Sequence, residues 1–150
     1  MKVLATTDGS PYACEALKRL GTLIPREGTE LVLLAAYPSP AGGTFGMMGP
    51  PYVDYAQLAI QMHDEAKGFA EEGARILEAQ GFTVAPKVAE GDPASVILDV
   101  AEQLKADLVV VGSHGRTGLV RFFLGSVSSR VATHAPCSVL IVKNAETTKK

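Results

Sequence analysis

The sequence has 150 residues, 47% of them hydrophobic, with a formal net charge of −2, which predicts one compact domain over residues 1–150 with a single core. The small net charge excludes a general attraction to nucleic acid, and the apolar runs are too short for the roughly 20 residues of a membrane span. Because no apolar signal core forms before Asp8, we expect a cytoplasmic protein without a membrane segment.

The first predicted strand covers residues 3–6 and leads into a helix. Ser10 is placed to cap this helix and Pro11 to occupy its first position, and apolar residues at helical spacing continue to residue 24. Residues 30–37 form an almost continuous apolar run. Such a run is typical of a strand that helices cover on both faces of a parallel sheet.

The middle of the chain predicts a loop, a long helix and an edge strand. Residues 38–53 are rich in glycine and proline, so we expect an irregular loop whose Phe45, Met47 and Met48 either cover a ligand or pack on the surface. An apolar stripe predicts a helix over residues 54–80, closed by Gly81 in a left-handed conformation. Residues 82–89 predict a strand, which Pro86 places at a sheet edge because proline lacks an N–H.

The last third continues this alternation. Gly91, Asp92 and Pro93 open a helix with a capping carboxylate and a proline at the first position. A strand over residues 108–111, a helix over residues 126–133 and a strand over residues 138–142 follow. Five strands with intervening helices predict an α/β fold with a doubly wound parallel sheet, because each connection is long enough to hold a helix.

A glycine-rich segment follows the fourth predicted strand. Its Gly112, Gly115 and Gly125 can adopt backbone conformations closed to other residues, so main-chain N–H groups are able to turn around an anion. Ser126 and Ser128 add hydroxyl donors at a helix N-terminus, where the helix dipole favours negative charge. The segment predicts a phosphate-binding loop, with a tight strand-to-helix turn as the alternative.

Charged residues near this loop complete the predicted site. Arg116 and Arg121 can supply countercharge to phosphate. Asp8 can hold a Mg²⁺ or Mn²⁺ ion that bridges phosphate oxygens, although an Asx turn or a helix cap explains an aspartate here equally well. His114 has no paired carboxylate or nucleophile evident in the sequence, so it is predicted only as a ligand contact.

The motifs together resemble the universal stress protein family, in its ATP-binding branch. The signature Gly-x2-Gly-x9-Gly-Ser is present as Gly112, Gly115, Gly125 and Ser126, and blocks at residues 3–10, 31–36, 106–112 and 135–143 extend the resemblance over nearly the whole chain. The resemblance implies a Rossmann-like sheet of the adenine nucleotide alpha hydrolase type, with five strands in the order 3-2-1-4-5. Ligands of such folds bind in the crevice where strands one and four separate.

The resemblance also implies the ligand and the residues that meet it. The ligand is ATP or another adenine nucleotide, with Mg²⁺ or Mn²⁺ at Asp8, and the backbone of Ala36 at the end of strand two is expected to meet adenine. The implied nucleotide-binding residues are Thr6, Thr7, Asp8, Ala36, Val111, Gly112, His114, Gly115, Arg116, Gly125, Ser126, Val127 and Ser128.

The implied function is nucleotide-dependent regulation in a stress response, with no catalytic residue and at most slow ATP hydrolysis. The alternative is an enzyme that transfers a nucleotidyl group, although its Ser-Gly-Gly-x-Asp-Ser and His-Ile-Gly-His signatures and a Walker A motif are absent from the sequence. A phosphoacceptor receiver domain fits poorly, because it needs an acidic cluster after the first strand.

The last strand, Ser138 to Val142, is the predicted dimer contact. It is strongly apolar, and an edge strand leaves N–H and C=O groups that a second copy can pair with. The resemblance implies antiparallel pairing of this strand across a two-fold axis, which closes after two subunits. We therefore expect a homodimer; the alternative is an edge covered by the chain's own C-terminal tail.

Overall fold

The computed structural model describes residues 1–40, 52–115 and 124–143. Within these ranges, five strands alternate with four helices. The elements in chain order are β1 (Lys2–Thr6), α1 (Pro11–Leu23), β2 (Glu30–Tyr37), α2 (Tyr55–Glu78), β3 (Val84–Glu90), α3 (Pro93–Leu104), β4 (Leu108–Gly112), α4 (Ser126–His134) and β5 (Ser138–Val142). The predictions for Phe45, Met47, Met48, Arg116 and Arg121 lie outside the described residues.

The five strands form one parallel sheet in the order β3-β2-β1-β4-β5. This confirms the predicted doubly wound topology. One face of the sheet packs against α1 and α2 through a cluster that includes Leu17, Leu20 and Leu77. The opposite face packs against α3 and α4 through a cluster that includes Ile97 and Val131. Connections that leave β1 and β4 toward opposite faces open the crevice in which ligands of such folds bind.

Local capping explains where the helices begin. Ser10 Oγ accepts the N–H of Ala13 at 3.1 Å, as predicted for α1. Asp92 Oδ2 accepts the N–H of Ser95 at 3.0 Å and starts α3 in the same way. Each cap satisfies one of the backbone donors that have no partner within the helix. Pro86 lies in β3, which is an edge strand as predicted.

The end of α2 differs slightly from the predicted boundary. The helix stops at Glu78, two residues early, and Gly81 follows with the predicted positive φ of +89°. The N–H of Phe82 then returns to the carbonyl of Leu77 at 3.2 Å. Because this bond folds Phe82 back onto the helix end, β3 begins at Val84 instead of residue 82.

The side chain of Gln80 ties the end of α2 to α1. Its Oε1 accepts the N–H of Gly21 at 2.8 Å, and its Nε2 donates to the carbonyl oxygens of Leu17 and Ile76, both at 3.0 Å. In a regular α-helix, the N–H of Gly21 would donate to the C=O of Leu17, four residues earlier. The amide group of Gln80 therefore bridges two backbone groups of α1 that are four residues apart.

Candidate functional site

A cavity of about 350 Å³ lies at the carboxyl ends of the central strands. The turn after β1, the end of β2 and the connection from β4 to α4 line it, with α2 and α3 as its walls. All the described residues of the predicted ligand set lie around this one cavity, although β1 and β4 are about a hundred residues apart in the chain. They are Thr6, Thr7, Asp8, Ala36, Val111, Gly112, His114, Gly115, Gly125, Ser126, Val127 and Ser128.

The turn after β1 fixes the orientation of Asp8. Its Oδ1 accepts the N–H of Ser10 at 2.9 Å, so the Asx turn considered from the sequence is present. Gly9 follows with a φ of +74°, which glycine adopts without strain. Asp8 Oδ2 lies 3.2 Å from the point that a Cβ on Gly115 would occupy. The carboxylate therefore organises its own turn and also faces the glycine loop.

The backbone of Ala36 faces the cavity for a reason that follows from parallel pairing. In a parallel strand such as β2, the N–H and C=O of one residue point to the same side, and those of the next residue point to the opposite side. The carbonyl of Leu34 accepts the N–H of Thr7, on the β1 side, whereas the carbonyl of Tyr37 accepts the N–H of Gly91, on the β3 side. Ala36 has the parity of Leu34, but the β1 register ends at Leu34. Its peptide groups therefore point into the space beyond the end of β1.

None of the three loop glycines has an unusual backbone angle, and only Gly115 lies where a side chain would be crowded. Neither Gly112, Gly115 nor Gly125 has a positive φ, and Gly125 has a φ of −60°. The conformational reason given by the sequence was therefore wrong for these positions. A Cβ on Gly115 would crowd Asp8 Oδ2 at 3.2 Å, whereas one on Gly125 would lie 3.4 Å from the carbonyl oxygen of Ser113, which is an ordinary contact. Gly115 therefore permits the close approach of Asp8 to the loop.

The start of α4 lies at the cavity, and its two predicted serines differ in role. Ser126 is exposed at the first helical position, while Ser128 is 3% exposed. The hydroxyl of Ser128 donates to the carbonyl of Gly125 at 2.9 Å and lies 3.3 Å from that of Ser113. Its proton therefore serves the loop in this structure, and its role as a phosphate donor stays a prediction. Gly125 at the N-cap supplies no side-chain cap to α4.

Sequence reasoning missed Ser113, which is 3% exposed. Its Oγ lies 3.0 Å from His114 Nδ1, and its carbonyl accepts the N–H of Gly125 at 2.9 Å. His114 therefore has a hydroxyl partner, contrary to the prediction, and its ring also lies 6.0 Å from that of Tyr12. Adjacency of the serine and histidine in the sequence was the available signal. The pair holds the imidazole at the cavity wall.

The walls of the cavity are mostly apolar and were also missed. Met62, Ala66 and Phe69 line it from one face of α2, where the sequence predicted only the apolar stripe of a helix. Helical spacing shows that these side chains share a face but does not show what the face meets. The remaining wall residues not predicted from the sequence are Ala13, Leu34, Ala35, Tyr37, Pro38, Glu65, Pro93 and Ile97.

The carboxylates around the cavity set limits on a metal site. Asp8 and Glu65 both line it. Among the residues that the structure describes, no group of three or more His, Cys, Asp or Glu side chains is placed to hold a metal ion. The lining fits a divalent cation whose remaining ligands are phosphate oxygens and water, as is usual for Mg²⁺.

No helix in the described part of the chain has the length and apolarity needed to cross a membrane.

Comparisons with known proteins identify a family and agree with the fold. The sequence model of the universal stress protein family matches residues 1–143. The universal stress protein MJ0531 of Methanocaldococcus jannaschii is 32% identical over 142 residues, which cover 95% of this chain and 81% of that protein. The solved structure of the hypothetical protein MJ0577 superposes with a TM-score of 0.80 at 29% identity, over 97% of each chain. A universal stress protein in complex with cAMP superposes with a TM-score of 0.68 at 25% identity, over 97% of this chain and 98% of that one.

Proposed function

The chain belongs to the universal stress protein family, and on this premise we propose that it binds ATP or another adenine nucleotide as a regulatory ligand. The carrying observation is that the start of α4, the Asp8 turn and the peptide groups of Ala36 meet at one cavity of about 350 Å³. A related universal stress protein was solved with cAMP, an adenine nucleotide. The cytoplasmic location and the role in a stress response stay predictions from the sequence.

The end of β2 supports binding of the base. A peptide N–H beside a peptide C=O offers one donor and one acceptor, and adenine presents an acceptor nitrogen next to its amino group. Ala36 supplies this pair of groups, while Met62 and Ile97 bring apolar surface to the same cavity. Guanine presents its donor and acceptor in the opposite order. The proposal therefore includes a preference for adenine over guanine nucleotides.

The loop and the start of α4 support binding of the phosphates. The first N–H groups of a helix have no partner within it and carry the positive end of the helix dipole. Gly115 and Gly125 let backbone approach a phosphate closely, and Asp8 faces the same loop. Asp8 would hold Mg²⁺ or Mn²⁺ together with phosphate oxygens. When bound, the ion neutralises phosphate charge beside the carboxylates.

The proposed role is binding with slow or no turnover. The hydroxyl of Ser113 is buried against His114, and Asp8 Oδ1 is engaged by Ser10. These contacts within the protein engage the hydroxyl and the carboxylate oxygen, which supports binding in preference to fast catalysis. The alternative remains a nucleotidyl-transfer or slow ATP-hydrolysing enzyme on this fold. Rapid phosphate release by contaminant-free protein, abolished in Asp8→Ala, would favour that alternative.

Two measurements test the ligand. Mass spectrometry of small molecules released by denaturing freshly purified protein identifies what the protein carries. Calorimetric titration then compares Mg-ATP, AMP, cAMP and Mg-GTP on protein stripped of ligand. We expect saturable binding of at least one adenine nucleotide and weaker binding of Mg-GTP. Absence of heat and of thermal stabilisation with all the adenine nucleotides would overturn the proposal.

We also propose a homodimer formed through β5. The carbonyl of Val142 accepts the N–H of Ser113, so the peptide groups of even-numbered residues of β5 face β4 and those of odd-numbered residues such as Ile141 face the outer edge of the sheet. Ile141→Pro should therefore weaken a dimer that pairs through this edge, whereas Leu140→Pro should break the sheet itself. Light scattering with chromatography measures the mass. A wild-type mass of one chain at micromolar concentration would overturn the dimer.

A further inference from the structure

A polar network on the outside of the cavity joins α3 to α4. Arg130 on α4 donates from Nη1 to Asp92 Oδ2 at 2.8 Å and from Nη2 to Ser95 Oγ at 3.0 Å. Asp92 Oδ2 also accepts the N–H and the hydroxyl of Ser95, at 3.0 and 2.7 Å. The guanidinium fork therefore engages both polar side chains of the first turn of α3. We call these three residues the Arg130 clamp.

The helices that the clamp joins are both cavity walls. Pro93 and Ile97 line the cavity from α3, and Ser126 lines it from α4. Asp92 immediately precedes Pro93, and Arg130 lies four residues after Ser126, on the same helical face. A shift of one helix start relative to the other would therefore change the width of the cavity between α3 and α4.

The clamp residues themselves do not line the cavity. The side chains of Arg130 and Asp92 are 50% and 55% exposed on the outer surface. Hydrogen bonds from Ser95, together with the positive charge of Arg130, hold the pKa of Asp92 below its ordinary value, so the carboxylate stays ionised in the network. Because an exposed ion pair adds little to folding stability, the clamp can be removed without unfolding the protein. Because the clamp residues do not line the cavity, their removal also leaves the lining unchanged.

We propose that Arg130, Asp92 and Ser95 are positioning residues, which fix the starts of α3 and α4 and so set the affinity of the cavity for its ligand. The affinity part rests on the proposed nucleotide function. A ligand that touches the apolar wall on α3 and the N–H groups of α4 binds best when their separation is fixed beforehand. The restraint on the helix starts holds in the protein without ligand.

Calorimetric titration with AMP compares three variants with the wild type. Arg130→Gln removes the fork, and Asp92→Asn keeps a capping oxygen for α3 but removes the charge. Glu71→Gln is the matched control, because it breaks an exposed pair with Lys67 that lies within α2 alone. Arg130→Gln and Asp92→Asn should each weaken AMP binding roughly five-fold, which corresponds to about 1 kcal/mol. The double variant should bind no worse than about ten-fold below wild type, because both changes break one network.

Amide hydrogen exchange of the ligand-free protein separates the clamp from the nucleotide proposal. Arg130→Gln should accelerate exchange at Ser95 and Val96 in α3 while leaving the central strands unchanged. Unchanged exchange in this variant, or faster exchange with unchanged AMP affinity, would overturn the clamp. A wild-type protein that binds no adenine nucleotide would overturn the proposed function instead, and faster exchange in Arg130→Gln would then still support the restraint.

Discussion

Replacing Gly115 with valine tests whether the loop after β4 meets a phosphate through its backbone. A Cβ at this position would lie 3.2 Å from Asp8 Oδ2, and valine adds two further methyl groups to that Cβ. Gly115 has no positive φ, so the substitution brings little backbone strain. The substitution should therefore leave the fold intact and place its added atoms beside Asp8.

The expected magnitude follows from the contact that the valine would block. A hydrogen bond from a backbone N–H to a charged phosphate contributes about 1.5–3 kcal/mol, and each 1.4 kcal/mol changes a dissociation constant about ten-fold. Gly115→Val should weaken Mg-ATP binding by roughly 10- to 100-fold. Gly115→Ala adds a single methyl group that Asp8 can accommodate by a small shift, so it should weaken binding by less than about ten-fold.

Calorimetric titration measures both variants, and circular dichroism checks that each is folded. Gly68→Ala is the matched control, because a Cβ on this α2 glycine would meet nothing within 4 Å. Unchanged Mg-ATP affinity in folded Gly115→Val would refute the placement of a phosphate beside this loop. Gly125→Val repeats the test at the start of α4, where a Cβ would lie 3.4 Å from the carbonyl oxygen of Ser113 and valine adds two methyl groups beyond it.

Three further predictions concern stability, measured by urea unfolding. Gly68→Ala should stabilise the protein by about 0.5–1 kcal/mol because alanine favours the helix. Gly73→Ala should destabilise it by about 1–3 kcal/mol, since the added Cβ would lie 2.7 Å from the side chain of Leu33. Equal effects of the two substitutions would contradict this account of packing. Gln80→Leu should cost about 2–4 kcal/mol by removing the partners of three backbone groups, and a loss below about 0.5 kcal/mol would show that water replaces the bridge. The lowered pKa of Asp92 means that its contribution is present above the unfolded pKa and is lost as pH falls through the folded pKa. The stability difference between wild type and Asp92→Asn should therefore be constant from about pH 5 to 8 and shrink below about pH 4; a difference that grows toward low pH would contradict the sign.

The strands and helices of this protein could be predicted because their signals are local. Ser10 and Asp92 cap their helices with side chains that reach only three residues along the chain. Pro86 predicted an edge strand because a missing N–H excludes the centre of a sheet anywhere in the fold. The topology needed the family resemblance as well, since alternation alone does not give the strand order.

Predictions about the loop depended on contacts that local sequence does not contain. The glycine spacing located the loop correctly but gave the wrong reason, because Gly115 is limited by Asp8, a residue from the other end of the chain. Because Ser128 is buried, its hydroxyl donates to the carbonyl oxygen of Gly125 within the protein. Ser113 was overlooked for the same reason, since its contact with His114 depends on the path of the backbone.

The sequence by itself determined the order of the elements, their caps and, through the family signature, the part of the cavity lining that the loop, the Asp8 turn and the end of β2 supply. Only the tertiary structure decided that Met62 and Phe69 form a cavity wall and that Arg130 reaches Asp92, 38 residues away in the chain. The physical reason is that helical periodicity shows which side chains share a face, whereas the packing of helices on the sheet decides what that face meets.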